Sequence, residues 1–223
     1  MEQFKKEDEI VIVVSRSKLF ENEELTFQGV KTAKEDNELV DRVMYNLDKH
    51  YKTMRRGSTK ETDIPLSKNA ELNTKFKQPI PYVVIRKGKE FFVTERLEGA
   101  GESRLHGKIS MGAGGHMNAL DSDMFSFNSV LNDNTQRELE EELYMETASE
   151  AFPKIIGLIN DDSEPVSEVH IGILGVIELN EGDNVTVREV DQLKGEWMTL
   201  ETLKSEGVYE RLENWSKIVV DMF

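Results

Sequence analysis

The first cluster of apolar residues is at 9–15, Glu-Ile-Val-Ile-Val-Val-Ser, a short β-branched run that predicts a buried strand. Between 36 and 54 the period changes. Val40, Val43, Met44, Leu47 and Tyr51 recur at helical spacing and predict an amphipathic helix. Residues 55–77 are polar, contain Gly57 and Pro65, and read as a connecting loop or linker. From Gln78 the pattern restarts with two strands, 80–86 and 90–96, joined by a tight turn at Lys87-Gly88-Lys89. Residues 97–123 are glycine-rich and irregular apart from Lys108–Met111. A helix is predicted from Phe127 to Tyr144, with Val130, Leu131, Leu139 and Leu143 as its stripe. Strands follow at 154–159, His170–Leu179 and Glu196–Thr199, the first ended by the turn Asn160-Asp161-Asp162-Ser163. Helices close the chain at Leu200–Ser205 and Val208–Met222.

Strands and helices are mixed without a regular βαβ alternation, which favours an α+β (mixed α/β) class over a doubly wound sheet. Two bodies are expected: an N-terminal β-α extension with its linker at 1–77, packed on a main domain at 78–223. The chain has 223 residues, 38% of them apolar, with 10 Phe, enough for a proper core. No apolar run reaches membrane-spanning length, and the N-terminus turns acidic before it turns apolar, unlike a signal peptide. The absence of cysteine excludes disulfides and thiolate chemistry and fits a cytoplasmic protein. Net charge is −15 and lies entirely in the second part: residues 1–77 hold 15 basic and 15 acidic residues, leaving 13 − 28 = −15 for 78–223. Such a surface repels a nucleic-acid backbone, whereas a small phosphate ester remains compatible if a cation neutralises the site.

The candidate chemistry is on the 127–144 helix, in Arg137-Glu138-Leu139-Glu140-Glu141-Glu142. Glu138, Glu141 and Glu142 stand at i, i+3 and i+4 and share a face. Like charges at this spacing destabilise an isolated helix by roughly 0.2–0.5 kcal/mol per pair, and the helix dipole disfavours anions near its C-terminus. A bound Mg²⁺ or Mn²⁺ would compensate, because hard cations take carboxylate oxygens. The alternative is a solvated acidic face.

With the upstream Gly112-Ala113-Gly114-Gly115 loop and the late Glu-Trp-Met-Thr-Leu segment at 196–200, this helix resembles the core of the Nudix box, Gly-x5-Glu-x7-Arg-Glu-U-x-Glu-Glu-x-Gly-U. The motifs span residues 78–206. The pattern from Gly101-Glu102-x-Arg104 to Gly114-Gly115-His116 is similar to a bacterial branch with an extra N-terminal segment. Two departures stand out. Counting from Gly115 places Asp121 at the loop acid, and 15 residues separate it from Arg137 where the family has seven, so the box reads as stretched by eight. Tyr144 replaces the glycine at the helix end.

The resemblance implies a Nudix-like α/β/α sandwich with a mixed sheet, and hydrolysis of a phosphoanhydride in a small nucleotide-derived substrate. It makes Glu141, Glu142 and the carbonyl of Gly114 or Gly115 metal ligands, Glu138 a further ligand or a general base, Arg137 the residue that orients Glu141 or Glu142, and Glu189 a further acid. From the residues alone, each of the three glutamates could serve as ligand or base. Asp121, Asp191 and the loop of Asp161, Asp162 and Glu164 are weaker acidic candidates. Arg96, Arg104, Lys108 and His116 would meet substrate phosphates. The missing cysteine disfavours the isomerase branch of the superfold. A non-catalytic Nudix-like module that binds a nucleotide or metabolite is the alternative. The N-terminal segment would extend the sheet, cover the substrate site or form a homodimer interface.

Overall fold

The computed structural model describes residues 5–98, 106–119, 126–148 and 151–223. In chain order its first elements are β1 (Ile10–Ser15), α1 (Arg16–Leu19), β2 (Gly29–Thr32), α2 (Asn37–His50), β3 (Tyr51–Arg55), β4 (Phe76–Lys87), β5 (Glu90–Arg96), β6 (Ile109–Ser110), β7 (Gly112–Ala113) and α3 (Phe127–Glu142). The second part adds β8 (Leu143–Glu146), β9 (Lys154–Asn160), α4 (Pro165–Glu168), β10 (His170–Leu179), β11 (Asn184–Val187), β12 (Leu193–Thr199), α5 (Leu200–Leu203), α6 (Glu206–Tyr209) and α7 (Asn214–Met222). This is the mixed α/β class expected from the sequence. The chain forms two units. Unit 1 is Met1–Pro81, Gly115–Thr135 and Gly157–Ile173, and unit 2 is Tyr82–Gly114, Gln136–Ile156 and Leu174–Phe223.

In unit 1 the β-branched run becomes β1, whose Val11–Val14 are buried. It pairs antiparallel with β3, from Ile10↔Arg55 to Val14↔Tyr51, and with the start of β4 at Val14↔Lys77. β2 pairs antiparallel with β9. Asp36 caps α2 by accepting the Leu39 N–H at 3.0 Å, and Val40, Val43 and Leu47 turn inward. The helix stops at His50, four residues short of the expected end, because Tyr51–Arg55 is claimed by the edge of β1. The core combines β1 and α2 side chains with Met117, Phe127, Val130, Leu131, Leu158 and Ile171.

The polar stretch 55–77 is tied down by charge. Arg55 pairs with Asp8 and Glu61, and Arg56 with Glu9 and Glu71. Lys77 is fully buried, with Nζ 2.7 Å from Asp162, whose other partner is Arg16 at 2.8 Å. Burial opposes the charge on Asp162, but hydrogen bonds from Arg16 and Lys77 outweigh it and hold the carboxyl at about 2.

Unit 2 orders its strands β12-β5-β4-β10. β12 runs antiparallel to β5 from Leu193↔Arg96 to Thr199↔Glu90, longer than the four residues expected. β6 pairs with β5 and β7 with β4, while β8 and β11 form a separate two-stranded sheet. The core includes Val83, Ile85, Phe92, Leu139, Leu143 and Ile177. The helix expected at 208–222 is broken. Ile109 N–H donates to the Arg211 carbonyl and Glu213 N–H to the Ile109 carbonyl, both at 2.9 Å, so residues 210–213 leave helical geometry between α6 and α7. Beside them the Ser216 hydroxyl lies 2.8 Å from the Tyr82 hydroxyl and accepts the Met111 N–H at 2.9 Å. A Cβ on Gly112 would fall 2.4 Å from the Tyr82 ring, so that ring needs glycine beneath it.

Candidate active site

The last two turns of α3 belong to unit 2. Leu139 and Leu143 are buried in its core, which leaves Glu138 and Glu142, one turn apart, on a common side of the helix. Arg137 lies 2.7 Å from Glu138 and 3.2 Å from Glu141. The Glu138 side chain is only 13% exposed, that of Glu141 59%.

Three other segments bring charge to this helix end. The β8–β11 ladder sets Val187 opposite Leu143, and the Arg188 N–H donates to the Glu142 carbonyl at 2.8 Å, so Glu189 arrives beside the helix. Arg96 ends β5 opposite Leu193. Glu213 precedes α7 and accepts from Arg96 Nε at 3.2 Å. The result is a surplus of negative charge. The Glu142 carboxyl is pushed up to about 7, first by burial and next by Glu138, with Glu189 and Glu213 adding to the rise and Arg96 opposing it. A set of carboxylates that repel one another fits a hard divalent cation with oxygen ligands.

Of the residues expected at the site, Glu138, Glu142, Glu189 and Arg96 therefore share one electrostatic neighbourhood, with Arg137 and Glu141 on its rim. Gly114 adopts φ +149°, a conformation that L side chains rarely take. Lys108 directs its ammonium to the Glu210 carbonyl at 3.3 Å. Gly115 and His116 belong to unit 1, where His116 Nε2 lies 3.2 Å from Glu71 and 3.3 Å from His170 Nε2. Arg104 and Asp121 lie outside the described residues. Asp191 is exposed, Asp161 accepts from Ser163, and Asp162 is engaged by Arg16 and Lys77. Sequence reasoning missed Glu213, which it placed inside a helix. The acid immediately before Asn214-Trp215, at what proves to be a helix start, was the available signal.

No family model matches the sequence. Protein YmaB of Bacillus subtilis (strain 168) is 46% identical over 217 residues, covering 97% of this chain and 98% of that protein. The crystal structure of Tm1382, assigned to the Nudix hydrolases, matches with a TM-score of 0.68 at 26% identity, over 96% of this chain and 100% of that one. The chain belongs to the Nudix hydrolase superfamily. The Nudix likeness extends well beyond the 78–206 stretch that carries the motifs, and this protein is an enzyme of the Nudix pyrophosphohydrolase type. At the end of its Nudix helix, where the family pattern has glycine, Tyr144 lies in extended backbone. The chain passes from α3 straight into β8, and the Arg188 guanidinium sits 5.5 Å from the centre of the Tyr144 ring. No helix among the described residues is long and apolar enough to cross a membrane.

Proposed function

We propose that this protein hydrolyses a phosphoanhydride bond in a small, nucleotide-derived phosphorylated substrate, using Mg²⁺ or Mn²⁺ held by Glu138, Glu141 and Glu142, with the Gly114 carbonyl as a further ligand. The observation that carries this reading is the Glu142 carboxyl, half-buried among Glu138, Glu189 and Glu213 and pushed up to about 7. A bound divalent ion would neutralise phosphate oxygens and lower the pKa of water. The chain's own groups do the rest. Arg137 orients Glu138 and Glu141 by ion pairing. Glu142 accepts the proton of the attacking water as general base. Glu189, on its loop beside the helix end, is the second base candidate and orients that water. Arg96 keeps Glu213 in place and offers positive charge to the substrate. Lys108, whose ammonium meets the Glu210 carbonyl at 3.3 Å, offers a second positive charge.

A panel of nucleoside diphosphate derivatives, assayed with Mg²⁺ or Mn²⁺, tests this. Turnover of at least one member is expected, with loss of it in Glu142→Gln. Full activity in that variant would overturn the assignment.

A further inference from the structure

Unit 1 contains a second cluster of ligand-type side chains, chemically unlike the carboxylates of α3. Glu71, His116 and His170 bring one oxygen and two imidazole nitrogens within 4.8 Å of one another. Glu71 Oε1 to His116 Nε2 is 3.2 Å, and His116 Nε2 to His170 Nε2 is 3.3 Å. A tetrahedral ion with Zn–N and Zn–O distances of about 2.0–2.1 Å has ligand–ligand edges of about 3.3 Å. Two edges of the cluster already have that length.

The surroundings set each group in its ligand form. His170 Nδ1 faces the Val166 carbonyl, which can only accept, so Nδ1 carries the proton and Nε2 presents its lone pair to the cluster. Arg56 Nε donates to Glu71 Oε1 at 3.0 Å, and Arg56 is itself held by Glu9, which Asn118 engages at 2.9 Å. With His170 Nε2 and Glu71 both accepting, His116 Nε2 is the donor inside the cluster, and a bound cation would shift that proton to Nδ1 and leave Nε2 as a ligand.

We infer that Glu71, His116 and His170 form a binding site for one transition-metal ion of the zinc class, leaving a coordination position open for water or a ligand oxygen. Two imidazoles and one carboxylate select a borderline-soft ion over Mg²⁺. The site is independent of the carboxylate helix.

The test is a Co²⁺ titration of the full chain, stripped with chelator and re-equilibrated in saturating Mg²⁺. One equivalent of Co²⁺ is expected to bind with the visible absorption of a nitrogen-ligated ion. Glu142→Gln should leave spectrum and stoichiometry unchanged, while His116→Gln and Glu71→Gln weaken binding by about tenfold or more. Circular dichroism checks that both variants remain folded. If the wild type binds no Co²⁺ above Mg²⁺, or if the spectrum survives both substitutions in folded protein, the inference fails. If Co²⁺ binding disappears in Glu142→Gln alone, the ion belongs to the helix and the inference fails as well.

Discussion

Two charged clusters of this protein are built on opposite principles. In unit 1, Asp162 sits between Arg16 and Lys77, and its carboxyl is held at about 2. Arg16 also pairs with Glu23 at 2.8 Å, so two cations face two carboxylates and the charges balance. In unit 2, Glu138, Glu142, Glu189 and Glu213 crowd together with Arg96 as the opposing charge, and the Glu142 carboxyl rises to about 7. The first arrangement favours ionisation and stabilises the fold, while the second opposes ionisation and leaves charge to be neutralised from outside. The sign of a carboxylate's shift thus separates a structural cluster from a candidate catalytic one better than the number of acids does.

The largest effect should come from the crowded cluster. Glu142→Gln is expected to lower kcat by about 10²–10⁴-fold, the range for removing a general base, measured on whichever member of the substrate panel wild type turns over. The same substitution should raise the melting temperature of the metal-free chain at pH 8. A carboxyl whose pKa is raised on folding is a burden above that pKa, so its neutral replacement removes repulsion. A fall in stability would break the contrast.

Next comes the balanced cluster. Asp162→Asn leaves Lys77 charged and fully buried without its carboxylate and should cost about 3–5 kcal/mol in urea unfolding. The effect also has a pH signature. Asp162 is depressed from 3.8 to about 2, so its contribution is complete above 3.8 and lost as pH falls toward 2. The gap between wild type and Asp162→Asn should therefore close over that window, and a gap unchanged at pH 2 would show that the shift is not the source. The smallest effect belongs to Glu140, exposed on α3 and bonded only locally to Gln136 at 2.8 Å. Glu140→Ala should move stability by less than about 0.5 kcal/mol and leave turnover unchanged, which separates the role of individual acids from that of net helix charge.

Much of this was legible in the chain. The valine-rich run, the helical stripe of α2, the β4–β5 hairpin and the glutamate helix each carry their information locally, in period or in turn residues. What escaped depends on distant partners. Lys77 reads as a linker lysine because Asp162, which permits its burial, is 85 residues away. Tyr51–Arg55 reads as the end of a helix until the edge of β1 is known, and Leu143–Glu146 until β11 is. Glu213 looked like one more polar helix position, and only the backbone bond to Ile109 shows that the helix is interrupted there. Glu71 and His170 had no local signal at all, since 98 residues of chain separate them.

The contact among Tyr82, Gly112 and Ser216 limits how this protein can vary. Any side chain at 112 displaces the Tyr82 ring, and a displaced Tyr82 gives up the Ser216 hydroxyl that also receives the Met111 N–H. The three positions behave as a single locus: a change at one is tolerated only when the others have already changed. Among homologues they should therefore be inherited as a set, and a chain with alanine at 112 should carry a smaller residue at 82.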